Sequence, residues 1–413
     1  MKVAFVSVHT CPLAALGQKD TGGMNVYLRE TALEMGRRGI CVDIYTRRHD
    51  PEEAEVIPLL EGGRLTGNVR VIHVDAGAWD EPKERLYAYL PEFRRNMERF
   101  MDREGLRYDV LHSHYWLSGP VSLGLKESRG IPVVATMHSL GEVQRRVRLA
   151  QDARERVETE RLIVHAADQV VAGSPDERDQ LLRLYDAPVG TTTVVPCGYD
   201  DELFRPYDKQ ASRRDLGLTG SRIILFVGRM DRIKGIDIVL RASAALDNKD
   251  GLQIVMIGGA ADDAEVGRMR RLARSLGIEN NLLFPGAVRQ DILPHYYSAA
   301  DVCIVPSYYE TFGLVAVEAM ACGTPVIAAR VGGLQATIMD GRTGYLVPWH
   351  CPEPYAERLE TILGNDALRA SFGRAALESV AELTWSNAVD KLVDVYRTAM
   401  GTPATSFHLA PCV

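Results

Sequence analysis

Short, continuous runs of apolar, mostly β-branched residues recur along this chain, separated by stretches of helical periodicity, and that alternation restricts the fold more than any other feature. In the first half the strand candidates are Val3–Val8, Val42–Thr46, Val69–Val74, Asp109–His112, Pro132–Thr136, Val170–Ala172 and Thr193–Val195. Between them lie helical patterns such as Met24–Arg38, closed by Gly39, and Leu86–Arg103, closed by Gly105, and glycine is the expected helix stop. A second set follows: Arg222–Val227, Leu252–Ile257, Asn281–Phe284, Val302–Val305, Pro325–Ala328 and Gly344–Val347. Strands apolar at every position must be covered on both faces, the condition of a parallel sheet with crossover helices. The expected fold class is therefore α/β, with two facing doubly wound Rossmann-like domains.

The expected first domain is residues 1–200 and the second 201–384, joined through PCGYDDELFRPYDKQ (196–210), which carries two prolines, a glycine and four acidic residues. A chain of 413 residues suits two or three domains rather than one core. Its net charge of −7 argues against a nucleic-acid partner, which calls for an excess of Lys and Arg. The 7 cysteines are scattered, with no C-x-x-C pair, which fits a reducing cytoplasm better than a disulfide framework or a zinc site. MKVAFVSV reads as a first strand rather than a signal sequence, and no apolar run approaches the ~20 residues of a transmembrane helix.

In doubly wound sheets ligands bind beyond the carboxyl ends of the strands, so the loops there are where chemistry belongs. Three stand out. After the first strand, Gly22-Gly23 precedes a helix start, where a backbone can approach a ligand and unpaired N–H groups can meet a phosphate; for a lone pair of glycines, however, a plain tight turn is the better explanation. The stretch is not a G-x-G-x-x-G fingerprint, so nicotinamide binding is not supported. In ILFVGRMDRIKG (224–235), Arg229 and Lys234 lie at a strand's end beside a helix start, which suits a diphosphate, although solvated loop cations are common.

The third loop is SYYETFGLVAVEAMACGTPVIA (307–328), with Glu310 and Glu318 eight positions apart. Glu310 falls on the loop, the amides of Phe312, Gly313 and Leu314 open a helix over 314–321, and Glu318 lies about one turn inside it. A carboxylate can accept from vicinal sugar hydroxyls while the amides take negative charge; it can equally be an acid that merely suits the helix dipole. Ala316, Val317, Ala319, Met320 and Ala321 are core positions on either reading.

That last string resembles the E-x7-E element of the retaining glycosyltransferases of family 4, which have the GT-B fold. The resemblance covers most of the chain: TGGMNVYLRE, HSHYW (112–116), TMHSLG (136–141), VVPCGYDDELFRP (194–206), FVGRMDRIKG and ARVGGL…DGRTGYLVP (329–348). It implies a nucleotide-sugar donor, UDP-linked first among the choices, bound by Gly22, Gly23, Arg229, Lys234, Glu310, Phe312, Gly313, Leu314 and Glu318. In these roles Arg229 and Lys234 neutralise the diphosphate, Glu318 holds the ribose and Glu310 the sugar. His138 joins Arg229, Lys234 and Glu310 as catalytic, near the anomeric carbon. The resemblance further implies no tightly bound cofactor and no obligatory metal, transfer through an oxocarbenium-like state, and a C-terminal helix (385–413) that crosses back to the first domain. A homodimer is among the allowed assemblies. Ala336 stands where many family members carry an acid, and leaves any role of that position open.

The first half is most similar to the inositol-phosphate N-acetylglucosaminyltransferases of mycothiol synthesis and to sucrose-phosphate synthases. Asn25, Lys83, Tyr115 and Arg156 match the acceptor pocket by that similarity, and two cations with a phenol suit a small phosphorylated acceptor. Long charged helical faces around Arg156 and in PEFRRNMERF read equally well as solvated surface. They also support an alternative, a peripheral membrane transferase acting on an inositol lipid, against which stand the acids interleaved among the cations. An alternative of another class is a sugar-nucleotide-binding protein without turnover.

Overall fold

The computed structural model describes all residues except 15–21, 62–63, 148–153, 261–262, 349 and 402–413. The described chain divides into two units. One comprises Met1–Ala14, Gly23–Pro196 and the C-terminal segment from Trp385; the other contains Cys197–Thr384. The chain thus passes between them at Pro196/Cys197 and Thr384/Trp385, four residues before the first expected boundary.

The first unit is built on β1 (Lys2–Val6), β2 (Cys41–Arg47), β3 (Val56–Glu61), β4 (Arg64–Val74), β5 (Val110–His114), β6 (Val133–Thr136), β7 (Gln169–Ala172) and β8 (Thr192–Val194). They form one sheet in the order β3-β4-β2-β1-β5-β6-β7-β8, parallel except for β3, which runs antiparallel to β4. Of this edge pair, the apolar pattern marks only Val69–Val74, the end of β4. Pro58 cannot donate a ladder hydrogen bond and is tolerated because β3 is an edge strand. The central strands β1, β2, β5, β6 and β7 are buried at nearly every position, as two-sided coverage demands.

A second difference lies at 83–103. One continuous helix was expected; the structure has a 3₁₀ turn, Lys83–Tyr89, followed by an α-helix, Leu90–Arg103. Pro91 lacks the N–H that a running helix needs and instead stands in the first turn of a new one. Trp385–Ala399 packs within the first unit, against the helix Gly23–Arg37 and the strands β6 and β7. Its Tyr396 hydroxyl lies 2.7 Å from Nδ1 of the buried His112.

The second unit carries β9 (Arg222–Val227), β10 (Leu252–Ile257), β11 (Leu282–Gly286), β12 (Val302–Val305), β13 (Val326–Ala329) and β14 (Gly344–Val347). They form an all-parallel sheet in the order β11-β10-β9-β12-β13-β14. The order reverses between β9 and β12, and in the first unit between β1 and β5. Those are the topological switch points, where crossover helices leave opposite faces and open a crevice at the strand ends.

Candidate active site

In the second unit, the loop after β9 and the loop after β12 meet at the switch point. The backbone joins them, Tyr308 N–H donating to the Ile233 carbonyl at 2.8 Å, and so do side chains, Lys234 Nζ donating to Glu310 Oε2 at 2.7 Å. Both members of that ion pair are mostly buried. Lys234 and Glu310, expected to serve different parts of a ligand, are therefore one pair in this structure. Arg229 is more exposed and lies 3.9 Å from Asp231, whose carboxylate also caps the 3₁₀ turn Arg232–Lys234 by accepting from Ile233 N–H.

Glu310 is held from behind by Gly332-Gly333. Gly333 N–H donates to the Glu310 carbonyl at 3.2 Å, and Gly332, at φ +48°, approaches so closely that a Cβ would stand 1.7 Å from that same oxygen. No other residue fits, and this accounts for the V-G-G string. Phe312, Gly313 and Leu314 follow in the same loop and lead into the helix Leu314–Ala321, whose first N–H groups have no intrahelical acceptor.

Glu318, in the second turn of that helix, is buried among Ala316, Val317, Ala319 and Met320. Tyr297 hydroxyl donates to its Oε2 at 2.8 Å. Burial pushes this carboxyl up to about 7, only partly offset by the Tyr297 hydrogen bond. It is a group that can shed a proton when hydroxyl donors arrive.

The first unit has its own cluster at the β1/β5 switch point. Tyr115 follows β5 with φ +72°, a conformation unusual for an aromatic residue, and its N–H donates to the Thr136 carbonyl at 2.9 Å. His9, after β1, packs against the Tyr115 ring, 4.3 Å between centroids and tilted by 37°. Lys83 Nζ lies 5.2 Å from the same ring's centroid and the Arg156 guanidinium 5.0 Å. Burial, and then the two cations together with His138, hold the His9 imidazole well below its usual range. Of the four residues matched to an acceptor pocket, Lys83 and Arg156 are thus both gathered on the ring of a third, Tyr115. The fourth, Asn25, is buried and spends its amide nitrogen on Thr10 Oγ1 (2.7 Å) and the Cys11 carbonyl (2.8 Å), which braces the loop after β1.

Arg156 does not lie on a solvated helical face. Its Nε donates to Glu160, Nη1 to Gln144, and Nη2 to the carbonyl and hydroxyl of Ser139. The neighbouring charges are paired as well: Glu142 with Arg145 and Arg146, and Arg154 with Glu158.

His138 begins the turn after β6, again with a positive φ, +59°. Its Nε2 is 3.0 Å from His114 Nδ1. Burial lowers its pKa to about 3, so the ring is neutral at physiological pH and serves as a hydrogen-bond donor or acceptor, not as a charged acid. Gly22 and Gly23 lie at the start of the helix Gly23–Arg37; Thr21, before them, is outside the described residues.

His9, Glu160, Ser139 and Tyr297 were not singled out from the sequence. His9 carried one usable signal, a polar residue directly after the first strand. The others are joined to the site by contacts between distant segments and left no local trace.

Two family models match the chain, "Glycosyltransferase Family 4" over residues 21–203 and "Glycosyl transferases group 1" over residues 208–379. D-inositol 3-phosphate glycosyltransferase from Corynebacterium diphtheriae is 41% identical over 420 residues, covering 99% of this chain and 97% of that protein. The protein so named from Nocardiopsis dassonvillei is 40% identical, covering 100% and 97%. Among solved structures, sucrose-phosphate synthase from Thermosynechococcus elongatus superposes with a TM-score of 0.87 at 35% identity, covering 97% of this chain and 99% of that one. The Anabaena protein HepE, solved with UDP and glucose, shares the fold at 19% identity with a TM-score of 0.76, covering 95% and 98%.

Proposed function

The chain belongs to the group 1 and family 4 glycosyltransferases, with their GT-B fold of two Rossmann-like domains, and from that premise we propose a retaining transfer of a hexosyl group from a UDP-sugar to a hydroxyl of a small phosphorylated acceptor, an inositol phosphate or a sugar phosphate. The observation that carries the acceptor class is the double clamp on Tyr115, where Lys83 and Arg156 both lie over one ring at a switch point. Two cations held beside a phenol favour a dianionic group over a neutral sugar. The names of the relatives and of the sucrose-phosphate synthase agree with that class.

In this reading the second unit takes the donor. Arg229 and Lys234 stabilise the charge that grows on the departing diphosphate, the Leu314 end of the helix adds its N–H groups, Glu318 accepts from the ribose and Glu310 from the sugar. The cations supply the positive charge that a metal supplies elsewhere, so chelation with EDTA should leave turnover unchanged. Neutral His138 hydrogen-bonds the sugar near its reacting carbon without transferring a proton. Against the membrane alternative, Arg145 and Arg146 pair with Glu142, Arg154 with Glu158 and Arg156 with Glu160, which leaves less unopposed positive charge on this face.

Purified protein should release UDP when given a UDP-hexose with an inositol phosphate or a hexose phosphate, and much less with the unphosphorylated acceptor. Arg156→Ala should raise KM for the phosphorylated acceptor and leave the donor KM unchanged. Donor binding by thermal shift without nucleotide release from any acceptor would overturn the transferase reading in favour of a binding protein.

A further inference from the structure

Glu160 has no solvent exposure, and each of its contacts leads to the same place. Both carboxylate oxygens accept from Gly141 N–H, at 3.1 and 2.9 Å. Oε1 accepts from Arg156 Nε at 2.7 Å, and Oε2 from the Tyr185 hydroxyl. Tyr185 oxygen in turn accepts from Glu142 N–H at 2.9 Å. Arg156 reaches the same turn by a second route, through the carbonyl and hydroxyl of Ser139 at 2.9 and 3.0 Å. Guanidinium and carboxylate are thus both fastened to residues 139–141, directly after His138.

The seat has a defined depth. A Cβ on Gly141 would stand 3.1 Å from Arg156 Cδ, 3.1 Å from its Nε and 3.1 Å from Glu160 Oε2. The turn therefore touches the ion pair with nothing between them. One flank of the guanidinium is spent on Glu160, and its carbon lies 5.0 Å from the Tyr115 ring centroid.

We infer that Glu160 is the positioning residue of the acceptor site: together with Gly141 it fixes the plane and depth of Arg156 beside the Tyr115 ring, and so sets where an acceptor phosphate can meet that guanidinium. This rests on the reading of Lys83, Tyr115 and Arg156 as the acceptor's phosphate site. A carboxylate that merely offset the Arg156 charge would weaken phosphate binding, and its removal would lower the acceptor KM. A carboxylate that positions has the opposite sign.

Steady-state kinetics with a UDP-sugar and a phosphorylated acceptor separate the two. Glu160→Gln keeps size and an acceptor oxygen while losing the charge-assisted bond to Arg156. It should raise the acceptor KM about 10-fold or more with the donor KM unchanged, since small misplacements of binding groups carry penalties of that order. Gly141→Ala leaves the carboxylate intact and pushes on the pair; it should show the same acceptor-selective rise, with Glu160→Asp intermediate. An unchanged or lowered acceptor KM in a Glu160→Gln protein that melts as wild type overturns the inference, as does an equal rise for donor and acceptor. If Glu160→Gln does not fold, Gly141→Ala decides on the same criterion. Arg156→Ala, measured alongside, tests the parent reading by itself: no change there refutes the phosphate site, whereas a rise there with none in Glu160→Gln and Gly141→Ala refutes only the positioning role.

Discussion

A carboxyl group buried beside a phenol keeps its proton into the neutral range, and Glu318 is in that position, raised to about 7 from the ordinary 4.5 by burial. Two pH dependences of opposite sign follow. The folded protein holds this proton where the unfolded chain has lost it, so the contribution to stability is full below pH 4.5 and gone above about 7. Glu177, also raised to about 7 by burial, acts in the same direction. Melting temperature should therefore fall as pH rises through this window, less steeply in Glu318→Gln and in Glu177→Gln. Donor binding runs the other way. Hydroxyls that donate to Glu318 require the carboxylate, so donor affinity should climb with pH to about 7 and then level. Glu318→Gln should bind donor at least ~10-fold more weakly with no such climb, because a hydrogen bond to a charged group is worth more than one to an amide. A calorimetric titration series from pH 5 to pH 8 that is flat for wild type would remove Glu318 from the ribose. Lys234→Ala, in contrast, should act on kcat by ~10²-fold or more. It also leaves Glu310 without its 2.7 Å partner, so Lys234→Ala/Glu310→Gln should be less than additive.

At the scale of elements, the site depends on how closely neighbouring loops approach. The loop carrying Glu310 rests on Gly332 and Gly333, and Gly332→Ala would drive a methyl into the Glu310 carbonyl at a positive φ. Roughly 1–3 kcal/mol of stability should be lost for the strained backbone alone, measured by urea denaturation. Activity should fall further than stability explains, since Glu310 and Lys234 move together. Arg229, Lys234 and Glu310 could be picked out in the sequence because their loops follow strands rich in apolar residues, where such sheets bind ligands, whereas Glu318, inside the helix Leu314–Ala321, stood out only through the string it shares with the family. Glu160 was not legible. It sits four residues after Arg156 in a run of charges, indistinguishable from the exposed pair Arg154–Glu158 two positions earlier. What separates the pairs is Gly141 and Tyr185, which come from other segments. The β3 edge strand escaped for a related reason: the sequence of residues 56–74 has a proline within its first strand, and only membership of an edge makes that acceptable.

For the molecule as a whole, the fold class was the most legible quantity, because a parallel sheet imposes its pattern on every strand rather than on a few residues. The helix Trp385–Ala399 was expected in the first domain from resemblance, not from its own spacing, which suits a terminal helix of either unit. The structure supplies the specific ties: Arg38 to Asp390 at 2.5 Å and to Ser386, Tyr396 to His112 at 2.7 Å, and Trp385 against Tyr27. Tyr396→Phe should cost about 1 kcal/mol in denaturant unfolding, the usual value of one buried hydrogen bond.

The interleaved chain also bears on synthesis. Although its first residues emerge from the ribosome before those of the other, the first unit lacks a packing element until Trp385–Ala399 has been made, after the whole of Cys197–Thr384, whose six described strands lie together in one stretch. The half made second should therefore be the first to become protease-resistant on stalled nascent chains. The first unit should remain a client of chaperones until the helix Trp385–Ala399 has emerged.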